Sequence, residues 1–162
     1  MDRNRIKIER ITDYDVALSV LKNETIASEI YEDTAALEIP DLIHEYWISA
    51  YVDNDLAGLY RIHCMGAVLW QIHCRILPEY RQKWAIKISR KALNWASLNI
   101  EKLQRIMCFV PVCHRNVKLH CLQVGFRGNG TLEKSYLKNG ELIDQDILSI
   151  DIESMRMSYL MR

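Results

Sequence analysis

The sequence predicts a mixed α/β sheet in a single domain, and three observations lead there. Runs of period-2 alternation are interleaved with runs of helical spacing along the whole chain. A long helical run stands between two central strand runs, at 68–77 and 105–110, which calls for parallel pairing through a right-handed crossover. The length, 162 residues, supplies one real core and is short for two, and no linker, repeat or composition shift divides it.

The first strand is expected at 5–11, with Ile6 and Ile8 on one face. Thr12 has the chemistry of a helix N-cap, and Asp13 and Asp15 suit the positive end of the helix dipole. Ile11 and Val16 have the spacing of a hydrophobic staple. Val16, Leu18, Val20 and Leu21 mark the apolar side of this helix, and a second helix is expected at 24–32. Residues 33–41 lack periodicity, contain Pro40 and read as a loop. Strands at 46–52 and 56–62 flank the turn cluster Asp53-Asn54-Asp55, a hairpin signal. The next strand, 68–77, is closed by Pro78, which has no N–H to give a ladder.

The strongest helix follows at 81–98. Ala85, Ile88, Ala92, Trp95 and Ala96 fall on one side, while Lys87, Arg90, Lys91 and Asn94 lie elsewhere on the wheel and read as a solvated face. A strand at 105–110 stops at Pro111, and a helix at 115–123 precedes Gly125. The last two strands, 131–138 and 141–150, flank Asn139-Gly140, a strong two-residue hairpin signal. Trp47, Trp70, Trp84 and Trp95 read as core and sheet-face residues rather than a ligand box.

Composition excludes several classes. Hydrophobic residues make up 49% and charged residues 26%, too apolar for a disordered chain. The 21 basic and 21 acidic side chains cancel, so no overall positive field marks a nucleic-acid binder. No run approaches the roughly 20 apolar residues of a membrane helix. The start, Met1-Asp2-Arg3-Asn4-Arg5, carries no apolar leader segment, so a cytoplasmic protein is expected. Four of the five cysteines adjoin a histidine: His63-Cys64, His73-Cys74, Cys113-His114 and His120-Cys121. Neighbours on a strand point to opposite faces, and no C-x-x-C or H-x-x-x-H spacing occurs, so reduced thiols and no metal are expected.

Three segments carry a family resemblance. They are Ile76-Leu77-Pro78-Glu79-Tyr80-Arg81 after the central strand, Val124-Gly125-Phe126 after a helix, and a terminal hairpin through Gly130, Leu132, Lys134, Tyr136 and Asn139-Gly140-Glu141-Leu142-Ile143-Asp144. With the order of elements, these resemble the GNAT superfamily of N-acetyltransferases over nearly the whole chain. Within it the texture is similar to a small phage group, some of whose members are associated with head assembly in short-tailed phages.

The resemblance implies a GNAT-like acyl-CoA N-acyltransferase fold and acetyl-CoA as cofactor. Its diphosphate would lie on bare backbone N–H groups at a helix N-terminus, where glycine permits close approach. The corresponding loop here reads Arg81-Gln82-Lys83-Trp84-Ala85-Ile86, with Arg81 in place but Trp84 and Ile86 where small residues belong. Lys87, Arg90 and Lys91 would stand beside it to meet phosphates. The family's Asn beside the pantetheine arm corresponds to His114, and its general-acid Tyr to Cys121. His73 on the central strand has the chemistry of a general base for an amine, with Glu79 and Asp33 as competitors. These departures turn the expectation towards an accessory factor in virion head assembly, working in the host cytoplasm through another protein or a second copy of itself. The alternative is an acetyl-CoA-dependent N-acetyltransferase acting on a protein or small-molecule amine. The apolar tail Met155-Arg156-Met157-Ser158-Tyr159-Leu160-Met161 is expected to pack on its own domain or to dock on a partner.

Overall fold

The structure is a computed structural model that describes residues 5–160. Residues 1–4, on which the lack of a leader was read, and Met161 of the tail lie outside the described residues.

The first strand, β1 (Ile6–Arg10), turns Ile6 into the core. Helix α1 (Tyr14–Leu21) is capped by Asp13 rather than Thr12: the Asp13 carboxylate accepts from the Asp15 N–H at 2.9 Å. A carboxylate at the positive end of the dipole is the stronger acceptor of the two. Helix α2 (Glu24–Ile30), capped by Asn23, stops two residues short of the expected end because Tyr31 is extended at φ −85°, ψ 133°. Residues 31–45 then run without helix or strand.

Strands β2 (Tyr46–Val52) and β3 (Asp55–Cys64) are joined through Asp53 and Asn54, both left-handed at φ 52° and 74°. Such a turn matches the twist of the strands it connects. Strand β4 (Leu69–Ile76) leads into helix α3 (Pro78–Asn99) with only Leu77 between them. The helix therefore starts three residues before the expected Arg81. The proline that ends the strand also opens the helix, where its missing N–H costs nothing. Strand β5 (Arg105–Pro111) and helix α4 (Arg115–Val124) follow, the latter ended by Gly125 at φ 123°. Strand β6 (Arg127–Lys138) begins four residues before the expected Thr131, since its first nine residues are exposed and carry no apolar period. It pairs with β7 (Glu141–Asp151), and helix α5 (Ile152–Leu160) ends the described chain.

All seven strands form one sheet in the order β1-β2-β3-β4-β5-β7-β6, antiparallel except for the β4–β5 pair. The larger core lies between the sheet and α3, with Ile88, Ala92 and Ala96 fully buried against Ile48, Ile62 and Ile106. A smaller core on the other face joins Ala17, Val20 and Leu21 of α1 to Trp47 and Leu59. Two members of the basic run expected to be solvated are instead structural ties. Lys91 Nζ donates to the Ile6 carbonyl and Arg90 Nη2 to the Gln123 carbonyl, both at 3.1 Å, because the helix side that carries them abuts β1 and the end of α4. The tail packs on its own domain, with Met155 buried in the larger core and Tyr159 against it. No helix among the described residues is long and apolar enough to cross a membrane.

Candidate active site

The sheet opens at its centre. Leu69, Trp70 and Gln71 of β4 pair with Arg105, Ile106 and Met107 of β5, and the pairing stops there. Beyond that point β5 continues against β7 alone, and Ile72–Ile76 pairs only with β3. The β5-facing edge of that stretch thus has no strand partner.

Side chains on the α3 face of this gap form a connected polar cluster. Tyr60 and Cys74 are opposite each other in the β3–β4 register and therefore share a face. The buried Tyr60 hydroxyl lies 2.9 Å from Ser89 Oγ of α3, and Ser89 Oγ lies 2.9 Å from His120 Nε2 of α4. Cys74 lies close enough to both hydroxyls for them to act on its thiol. Its residue carries open surface, yet protein crowds the thiol itself. That crowding pushes the Cys74 thiol up to about 12. Burial likewise raises Tyr60 well above the ordinary phenol value and lowers His120, so all three stay uncharged near neutral pH. Beside them Cys121 Sγ lies 3.9 Å from Cys108 Sγ. Either thiol can donate to the other, and burial disfavours the ionised form of both.

His73 is on the opposite face, because it alternates with Cys74 along β4. Its ring stacks on His63 at 5.3 Å, with the two Nε2 atoms 3.2 Å apart. Burial first, then Arg75, Arg61 and His63, push His73 down to about 3. An imidazole so depressed is neutral but a weak base for an ammonium ion. Around it Glu38 bridges Arg61 and Arg75 at 2.5 Å each, and Glu45 takes a two-pronged bond from Arg61 at 2.7 and 2.5 Å. The candidate acid and base, Cys121 and His73, are therefore separated by the sheet.

The expected cofactor loop is helix. Arg81, Gln82, Lys83, Trp84, Ala85 and Ile86 all lie within α3, whose early start removes the loop. Arg81 is engaged by Glu29 at 2.9 and 2.7 Å and donates to the Ile76 carbonyl. Trp84 and Ala85 are buried, Ile86 is partly buried against the core, and Gln82 and Lys83 are exposed. The Lys83 and Lys87 ammonium groups lie 5.0 and 5.5 Å from the Trp84 ring centre. His114 caps α4 without a side-chain cap bond, and its Nε2 is buried without a partner. Asp33 receives N–H bonds from Asn139 and Gly140, which assigns it to holding the terminal turn. Among the described residues no group of three or more His, Cys, Asp or Glu side chains could hold a metal ion. An open depression of about 490 Å³ near α4, lined by Val112, Arg115, Lys118, Leu119 and Asp146, shares none of the cluster's residues.

Sequence reasoning missed Tyr60, Ser89 and His120 as a unit. One signal was legible: Ser89 is a polar residue beside Ile88 on the buried side of a helix. Nothing local reveals that β3, α3 and α4 bring these three residues together.

This architecture is that of known acetyltransferases. Spermidine N-acetyltransferase from Vibrio cholerae, solved in complex with CoA and spermine, is similar with a TM-score of 0.78 and 18% identity, covering 95% of this chain and 99% of that one. An acetyltransferase of the GNAT family from Streptococcus pneumoniae is similar with a TM-score of 0.68 and 15% identity, covering 90% and 98%. The chain thus has the GNAT fold, as its sequence led one to expect. More narrowly, it belongs to the family described as a protein of unknown function, DUF2824, whose profile matches residues 6–159. No curated protein matches it significantly.

Proposed function

We propose that this protein is an acyl-CoA-dependent N-acyltransferase that uses the gap between β4 and β5. The observation that carries this reading is the unpartnered β4 edge, on whose stretch of strand Cys74 sits opposite Tyr60. The edge offers backbone donors and acceptors to the amide-bearing pantetheine arm, and the GNAT fold of CoA-binding proteins supports the same placement. When bound, the cofactor supplies an activated acyl thioester. Cys74 remains protonated and offers an S–H hydrogen bond to the sulfur leaving group, with Tyr60, Ser89 and His120 as the hydrogen-bonded groups around it. It takes the place expected of Cys121, whose sulfur is paired with Cys108 at 3.9 Å. The diphosphate finds no glycine cradle, because α3 starts directly after β4.

That missing cradle favours a second reading, a GNAT-fold assembly factor without catalysis, such as one serving a virion head through a protein partner. Thermal denaturation with excess acetyl-CoA separates the two. Binding at about 100 times the dissociation constant adds roughly 2.7 kcal/mol. Under the first reading the midpoint rises, thiol release follows with an amine, and Cys74→Ala slows it about a hundredfold. An unmoved midpoint at millimolar acetyl-CoA would overturn it.

A further inference from the structure

The sheet face opposite the thiol cluster holds a second polar centre that the acyl-transfer chemistry does not use. One carboxylate, Glu38, spans two guanidinium groups: Oε1 accepts from Arg61 Nη1 and Oε2 from Arg75 Nη2, each at 2.5 Å. Glu38 belongs to the irregular 31–45 segment, whose Asp33 is tied to the terminal turn and whose Glu45 also accepts from Arg61. Arg75 comes from the rigid centre of the sheet and its side chain is only 7% exposed. Its Nε and Nη1 groups are buried with no hydrogen-bond partner. A buried cation with two orphaned donors is costly, and such a group calls for an acceptor that the free chain does not supply. The Trp47 ring lies 5.9 Å from the Arg61 guanidinium and 6.0 Å from that of Arg75, and helps to fix both.

We infer that Arg61 and Arg75 form a carboxylate-binding site which Glu38 occupies in the free protein, and that the acceptor substrate is an amine bearing a carboxylate. This identification of the substrate rests on the acyl-transfer reading above. The site lies on β3 and β4, on the side of the gap away from Cys74, so a substrate anchored there presents its amine to the opening from that side. When the Glu38 side chain turns aside, the substrate carboxylate takes its bridging position, while Glu45 keeps its two bonds to Arg61. The orphaned donors of Arg75 then gain access to further oxygen acceptors. The neutral His63 and His73 rings beside it add no competing positive charge.

Two measurements test this. In the first, glutarate is titrated at matched ionic strength without any CoA, and the thermal midpoint is followed. Glu38→Gln should respond at a glutarate concentration about tenfold or more below the wild type, the ratio produced by freeing a charge-assisted contact. Adding Arg75→Lys to that variant should abolish the response, and Arg61→Lys provides the same reading if the Arg75 change fails to fold. In the second, acetyl transfer is compared between ω-amino acids and diamines of equal length. The ω-amino acids should be preferred about tenfold, with the preference lost in Arg75→Lys through KM rather than kcat. A glutarate response without transfer to any amine upholds the carboxylate site and removes the acyl-transfer reading. Transfer that favours diamines, with Glu38→Gln blind to glutarate, overturns the inference and leaves the acyl-transfer reading standing.

Discussion

At the scale of single residues, His73 shows how position overrides composition. Its ordinary affinity for protons suits a general base, yet burial and two nearby guanidinium groups hold it neutral. The consequence for stability has a definite sign. Below pH 6.5 the unfolded chain takes up the proton while the folded imidazole does not, so stability falls with pH until about pH 3. The slope from this one group is at most about 1.4 kcal/mol per pH unit. Arg75, Arg61 and His63 act on the ring, and Glu45, whose burial is outweighed by Arg61 so that it sits below its ordinary value, contributes an acid sensitivity of its own. His73→Asn isolates the histidine. The stability advantage of the wild type over this variant, from urea melts, should shrink between pH 6.5 and pH 4. An advantage that does not vary with pH would mean that His73 ionises freely.

At the scale of elements, the early start of α3 matters most. A loop of several residues after β4 would have left backbone N–H groups free for a diphosphate. Instead Pro78 nucleates the helix at once and Trp84 is buried in the core. This was half legible: Pro78 marked the end of the strand, and proline is equally at home in a first helical turn. The family resemblance implied a loop there, while local chemistry permitted a helix. The tail is a second instance. Its apolar residues fit either a docking surface or a packed helix, and Met155 fills the larger core together with Ile152 just ahead of it. Truncation after Asp151 should cost about 4 kcal/mol or more, read from a urea midpoint, because two core side chains go with it. Met157, 58% exposed, is the better probe of association. Met157→Lys should leave stability within about 0.5 kcal/mol and, if the tail docks copies together, abolish sedimentation as an oligomer.

At the scale of the whole molecule, the sheet couples two cores of unequal size. Strand β2 supplies Ile48 and Ala50 to one face and Trp47 to the other, so neither core can loosen without straining the same strand. Unfolding in urea should therefore be a single transition, with near- and far-ultraviolet circular dichroism coinciding. A biphasic curve, with the α1 face melting first, would show that the smaller core is independent.

The sequence by itself determined the order of elements, the two tight turns and the sheet-facing sides of the strands. Those depend on period, on Pro and Asn-Gly chemistry and on caps, all of which are local. It also disclosed the GNAT fold through Val124-Gly125-Phe126 and the terminal hairpin. Element ends shifted where two residues compete for one role, as Thr12 and Asp13 do for the cap of α1. Only the tertiary structure decided the chemistry. It parted β4 from β5, set Cys74 against Tyr60 and Ser89, put His73 and Cys121 on opposite faces, and brought Glu38 over Arg61 and Arg75. These pairings join residues from separate elements of the fold. They arise from the way the sheet carries its strands past one another, which no local window of sequence contains.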